Sequence, residues 1–225
     1  MTRRLSDFIM FTGIIEEIGT VEKIGSGQDS ARLTVKASRV LEDVHVGDSI
    51  AVNGICLTVT GFTSGSFTVD VMHETIKRSS FSSLRVGSRV NLERAMAADG
   101  RFGGHIVSGH IDGTGKIIKI RRDGIALWYT IETTAEIMKY IVEKGSVAIS
   151  GISLTVAEVN GNSFSVSTIP HTNEVTVLHE CRVGDTVNLE NDIIGKYIER
   201  FVKGSSGTAS GKGGITEEFL ARCGF

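Results

Sequence analysis

Two histidines five residues apart are the first side chains in this sequence whose type and spacing could do chemistry. His105 and His110 both lie in Gly103-Gly-His-Ile-Val-Ser-Gly-His110. On an extended segment such residues point to opposite faces, so the pair does not chelate one metal ion, and no metal site is expected. A histidine here either moves protons near neutral pH or makes an ordinary hydrogen bond near a turn. Cys56 and Ser153 form a second pair, each preceded by Gly-Ile and followed by Leu-Thr. Cys56 is either a small buried apolar residue or a nucleophile, and the second role needs a neighbouring histidine or helix terminus to lower its pKa. In a strand, the hydroxyls of Thr58 and Thr155 share a face with Cys56 and Ser153, which suits a ligand rich in hydrogen-bonding groups.

The elements that must position these residues are visible because the chain repeats itself. Val52-Asn-Gly-Ile-Cys-Leu-Thr-Val59 matches Ile149-Ser-Gly-Ile-Ser-Leu-Thr-Val156, Ser66-Phe-Thr-Val69 matches Ser163-Phe-Ser-Val166, and Arg85 to Glu93 matches Arg182 to Glu190, all without a gap. Phe11-Thr-Gly-Ile-Ile15 matches Val107-Ser-Gly-His-Ile111 one residue out of step, so His110 stands where the first copy has Ile14. Two homologous domains follow, residues 10–101 and 102–190. Each alternates apolar and polar residues over short runs such as Arg32-Leu-Thr-Val-Lys36 and Phe67-Thr-Val-Asp-Val71, broken at Gly47-Asp48, Ser64-Gly65 and Val86-Gly87. That pattern predicts short strands in a small closed barrel or a sandwich. Thr134 to Lys144 reads as a helix capped by Thr134 and stopped by Gly145. Ile194, Tyr197, Ile198, Phe201 and Val202 fall on one face of an amphipathic helix over 191–203, which either packs on its own barrel or forms an oligomer contact. Residues 1–9 form an extension. The Gly/Ser-rich run from Gly204 to Gly214 opens a flexible tail, 204–225, with a short helical end over 215–225.

Composition narrows the function classes. Lys and Arg number 24 against 26 Asp and Glu, and the only adjacent Arg pairs are Arg3-Arg4 and Arg121-Arg122, which gives no footprint for nucleic acid. No apolar run is long enough to span a bilayer and Met1 to Met10 has no signal-like apolar core, so no membrane partner and a cytoplasmic location are expected. The three cysteines, Cys56, Cys181 and Cys223, are odd in number and widely spaced, unlike a disulfide framework or a zinc site. The glycines do not form either common nucleotide-binding fingerprint.

Met10-Phe-Thr-Gly-Ile14, Asn53-Gly-Ile-Cys-Leu-Thr-Val59, Gly103 to His110 and Gly151-Ile-Ser-Leu-Thr-Val156 together resemble the riboflavin synthase family, over Met10 to Val202. The resemblance implies an all-β fold of two tandem six-stranded Greek-key barrels with short helices and a C-terminal amphipathic helix. It implies a homotrimer whose sites lie between subunits, and a cofactor-free dismutation of two 6,7-dimethyl-8-ribityllumazine molecules into riboflavin and 5-amino-6-(ribitylamino)uracil. It places an N-barrel site on Gly13, Ile14, Ile15, Cys56, Leu57, Thr58, Asp70, Val71, Met72, His73, Glu74 and Thr75. A C-barrel site falls on Gly109, His110, Ile111, Lys144, Ser153, Leu154, Thr155, Thr168, Ile169, Pro170, His171, Thr172 and Asn173. His110 matches the family's implicated histidine, and Ser49 and Cys56 match residues implicated in catalysis. An association with the enzyme that supplies lumazine, lumazine synthase, is implied in some organisms, though no segment marks such a contact. Ser150 stands where the family often carries Asp, so a carboxylate role is not transferred there. The rival expectation is a lumazine- or flavin-binding antenna protein that keeps the barrels and loses catalysis, and the retention of both histidines and both Leu-Thr strands favours the enzyme.

Overall fold

The computed structural model describes residues 10–26 and 30–205; the N-terminal extension, most of the Gly/Ser-rich tail, its expected helical end and Cys223 lie outside these residues. Among the described residues, twelve strands form two closed antiparallel barrels. The first contains β1 (Glu17–Ser26), β2 (Ser30–Lys36), β3 (Ser49–Val52), β4 (Ile55–Phe62), β5 (Ser66–Met72) and β6 (Arg89–Arg94), in the cyclic order β1-β2-β5-β4-β3-β6. The second contains β7 (Gly113–Asp123), β8 (Ala126–Glu132), β9 (Ser146–Ile149), β10 (Ile152–Asn160), β11 (Ser163–Thr168) and β12 (Thr186–Asn191), in the matching order. The β5-β4-β3 meander with β2 returning beside β5 is a Greek key. Closure leaves no free sheet edge.

Alternation explains each wall. Leu33 and Val35 on β2, Leu57 and Val59 on β4, and Phe67, Val69 and Val71 on β5 point into the first barrel, where they are buried. Leu154 and Val156, with Phe164 and Val166, repeat this in the second. Phe67 and Phe164 occupy equivalent, fully buried positions, and truncating either to Ala costs about 3–5 kcal/mol. The last strand of each barrel is buried on both faces. Val90 and Leu92 enter one core, Val187 and Leu189 the other, while Asn91, Glu93, Asn188 and Glu190 are buried on the opposite side.

The two barrels form one compact unit that ends at Ile193. Their contact is a pseudo-twofold built on the β3–β4 and β9–β10 turns. Asn53 and Ser150 both adopt φ 46°, followed by Gly54 at φ 77° and Gly151 at φ 84°. Asn53 Oδ1 accepts from the Asn91 amide at 2.8 Å, and Ser150 Oγ from the Asn188 amide at 3.3 Å. Asn91 Nδ2 then donates across to the Ser150 carbonyl at 3.0 Å, and Asn188 Nδ2 to the Asn53 carbonyl at 2.9 Å. Ser150 is thus the turn counterpart of Asn53.

The helix expected over Thr134 to Lys144 is much shorter. Only α2 (Ala135–Met138) is helical, after α1 (His73–Arg78) in the first copy, and Thr134 makes no side-chain cap. Ile137 and Ile141 are still buried, but Tyr140 and Ile141 donate to carbonyls only three residues back, so the segment winds into tight turns instead of continuing. A further short helix, α3 (Pro170–Val175), follows β11 and begins on Pro170. The amphipathic pattern after the second copy forms α4 (Ile193–Ser205), whose Tyr197 and Phe201 rings stack with centroids 6.5 Å apart. Among the described residues, no helix is long and apolar enough to cross a membrane.

Candidate active site

The segments preceding the barrels are exchanged. Residues 11–15 introduce the first copy, yet the Gly13 carbonyl accepts from the Ser153 amide on β10 at 2.8 Å and Ile15 packs on the second barrel's core. Residues 107–111 introduce the second copy, yet the Gly109 carbonyl accepts from the Cys56 amide on β4 at 2.9 Å and Ile111 packs on the first core. The two straps cross where Phe11 and Val107 exchange amide hydrogen bonds of 2.8 and 3.1 Å. Phe11 and Val107 are buried there with Ala51 and Ala148.

This corrects the grouping of the expected site residues. Gly13, Ile14 and Ile15 belong with Ser153 on the second barrel, and Gly109, His110 and Ile111 with Cys56 on the first. The close approach requires glycine in both straps. Gly13 and Gly109 lie at φ 76° and 77°, and a Cβ on either would sit 2.6 Å from the Cβ of Ser153 or Cys56.

On the first barrel, Cys56 is half-buried and Thr58 exposed, on the outward face of β4. Ser49 is buried on the neighbouring β3. Burial pushes the Cys56 thiol's pKa up, opposed by the nearby Ser49 hydroxyl and reinforced by the charge of Glu190. The sulfur is therefore held as a thiol near neutral pH, a poor nucleophile and a usable weak donor. His110 follows Gly109 on the strap and is exposed. At the end of β5, Asp70 is ion-paired with Arg32 at 2.8 Å, which holds its carboxyl below the usual range, while Met72 and His73 are exposed. Glu74 pairs with Arg78 at 2.5 Å, and Thr75 is half-buried and accepts at its carbonyl from Ser79 Oγ.

On the second barrel, Ser153 Oγ lies 2.7 Å from His105 Nδ1. His105 is buried, its Nε2 has no hydrogen-bond partner, and burial lowers its pKa, so the ring is neutral near pH 7. Thr155 is exposed beside Ser153's face. Thr168 Oγ1 donates to Asn173 Oδ1 at 2.8 Å, both residues being buried, while Ile169, Pro170 and His171 are exposed and Thr172 is half-buried. Lys144 is exposed and adopts φ 64° in the turn where the first copy has Gly47. Leu57, Val71 and Leu154 differ from expectation because their side chains fill the barrel cores. They offer a ligand only backbone.

Two residues were missed by motif reasoning. Glu93, next to last on β6, accepts from the Thr12 amide at 2.7 Å, Thr12 Oγ1 at 2.9 Å and the Gly13 amide at 3.0 Å. Glu190, next to last on β12, accepts from the Ser108 amide at 2.6 Å, Ser108 Oγ at 2.7 Å and the Gly109 amide at 3.1 Å. Their signal was present as the matched Glu of Val-Asn-Leu-Glu in both copies. Desolvation raises the Glu93 pKa to about 7 despite the three donors. A hollow of about 460 Å³ adjoins the first strap, lined by Thr12, Ile14, Glu93, Arg94, Met96, Arg101 and neighbours, and does not reach Cys56 or Ser153. Cys56 and Ser153 are half-buried under the Gly109 and Gly13 straps, with Thr58 and Thr155 exposed beside them.

A family model described as the lumazine binding domain matches residues 12–95 and again residues 108–192. The chain is 55% identical over 216 residues to the riboflavin synthase of Actinobacillus pleuropneumoniae, covering 96% of this chain and 100% of that protein. It is 50% identical, with the same coverage, to the riboflavin synthase of Bacillus subtilis (strain 168). Among solved structures, it superposes on LumP complexed with 6,7-dimethyl-8-(1'-D-ribityl) lumazine with a TM-score of 0.74 and 26% identity, over 81% of this chain and 99% of that one.

Proposed function

Because the chain belongs to the lumazine-binding domain family, among its riboflavin synthases, we propose that it converts two molecules of 6,7-dimethyl-8-ribityllumazine into riboflavin and 5-amino-6-(ribitylamino)uracil. One lumazine gives a four-carbon unit to the other. The observation that carries this reading is the pair of equivalent but chemically unequal faces, Ser49-Cys56 with His110 on one barrel and Ser153-His105 with Ile14 on the other. A dismutation needs this combination, since the same molecule must bind twice and react differently each time.

The C7 methyl of one lumazine must lose a proton, and a nucleophile must add to C7 of the other. His110, exposed on its strap, is assigned the proton transfer. Cys56 and Ser49 are assigned to orienting the group that adds, since burial holds the thiol protonated beside the Ser49 hydroxyl. Thr58 and Thr155, with the residues after β5 and β11, offer the polar contacts a ribityl chain and a pyrimidinedione require. Holding both rings in register makes the condensation effectively intramolecular, worth several kcal/mol of barrier. No cofactor is needed, because the four-carbon unit leaves one substrate and enters the other without net oxidation.

Thr58, His110 and Thr155 are exposed on these faces, which supports a site completed by a second subunit, and we assign a homotrimer with sites between subunits. The exposed apolar face of α4, including Tyr197, Ile198 and Phe201, supports its use as an oligomer contact. A cytoplasmic location and an association with lumazine synthase belong to the same proposal.

Incubation with 6,7-dimethyl-8-ribityllumazine, with EDTA and no added cofactor, is expected to give one riboflavin per two lumazines consumed. His110→Ala and Cys56→Ala are each expected to lower turnover by on the order of tenfold or more; full turnover in both would refute the role assignment. The likeness to LumP supports a second reading, a ligand-binding protein without catalysis. Tight binding with no riboflavin formed would establish that one instead.

A further inference from the structure

We infer that Glu190 is the positioning residue of the Cys56 face and Glu93 that of the Ser153 face, so that the last strand of each barrel aims the strap lying on the other barrel. Each carboxylate is buried, at 2% and 5% exposure, and neither has a part in the chemistry assigned above. Glu190 receives the amides of two consecutive strap residues, one on each oxygen, together with the Ser108 hydroxyl. Gly109 is consequently held from both sides, its N–H by Glu190 and its carbonyl by the Cys56 amide. His110 is the next residue, so its backbone is placed before any substrate arrives and only its side-chain rotamers remain free. Glu93 does the same for Thr12, Gly13 and Ile14 over Ser153.

The chemistry calls for Glu in particular. Two neighbouring amides need two acceptor oxygens, which a carboxyl group offers in either protonation state. Gln would turn an NH₂ toward one of the amides. Asp keeps the carboxyl group but loses one methylene of reach. The role in turnover rests on the function proposed above, whereas the clamp itself can be read without any turnover.

The test uses the full-length chain carrying Glu190→Asp or Glu93→Asp. Alkylation of Cys56 by iodoacetamide is followed by peptide mass spectrometry, because the Gly109 strap covers this side chain. Glu190→Asp is expected to raise the Cys56 rate by about tenfold through local opening of the strap, and Glu93→Asp to leave it within about twofold. With lumazine, Glu190→Asp is expected to lower kcat by on the order of tenfold to a hundredfold with a smaller change in KM, as misplacement of a reacting group does. Equal Cys56 rates in the two variants, with unchanged circular dichroism, would overturn the crossed assignment. If Glu190→Asp does not fold, Ser108→Ala removes one of the three bonds and is expected to shift the rate in the same direction by less; no shift there overturns the proposal. Crossed alkylation without riboflavin formation leaves the clamp standing and removes the function. Riboflavin formation with uncrossed alkylation does the reverse.

Discussion

Glu93 is pulled in two directions. Three donors favour its anion, burial penalises it, and burial prevails, raising its pKa from 4.5 to about 7. Since the folded value lies above the unfolded one, the fold binds an extra proton between them. The resulting stability is fully present below about pH 4.5 and is lost as pH rises through about 7. The size is on the order of 3 kcal/mol. Glu93→Gln removes the titration, so the stability difference between wild type and variant should drift by that amount from acid to mildly alkaline buffer, measured by urea unfolding. A difference independent of pH would show that Glu93 does not titrate in this window. Cys56, Ser153 and the histidines stood out in the sequence because their types announce chemistry. The carboxyl groups did not, because a Glu near the end of a strand looks like ordinary surface until its backbone partners, about 80 residues away, are seen.

At the scale of elements, period-2 alternation made the strands legible, and matched blocks made their equivalence legible. The segment after Thr134 misled because isoleucines four apart fit a helix as well as they fit a chain of tight turns packed on a barrel. Asn53-Gly54 and Ser150-Gly151 stood at matched positions of the two copies, but neither their role as turns nor their mutual contact was read from the sequence. A Cβ on Gly54 would lie 2.6 Å from the Gly151 amide nitrogen, in addition to the cost of φ 77°. Gly87, also at positive φ, has nothing within 4 Å. Gly54→Ala is therefore expected to destabilise by on the order of 2–4 kcal/mol, against about 1–2 for Gly87→Ala. Chemical denaturation of the two variants provides the comparison, and equal losses would mean that the turns relax apart freely.

For the whole molecule, the straps and the Asn91-Asn188 bridges make each barrel a support of the other. Calorimetry is expected to show one unfolding transition with matching calorimetric and van't Hoff enthalpies. Two resolved transitions would mean that the exchange contributes little. The sequence revealed two copies and the residues that differ between them, including His110 against Ile14. It could not reveal which copy's strap lies on which barrel, because internal similarity reports ancestry and not partnership. Contact across a fold is set by the path of residues 95–106 between the two units.

The exchange also bears on why the copies share one chain. A solitary copy would have a strap without a second barrel to lie on and a β4 face without a strap, and would depend on meeting another molecule to acquire both. Joining the copies by a short connector makes that encounter internal, at an effective concentration on the order of millimolar. The supply of a strap to each β4-type face thereby becomes independent of how much protein the cell contains. It also allows the two straps to diverge, one to carry an imidazole and the other an aliphatic group, without an unmatched pairing ever forming.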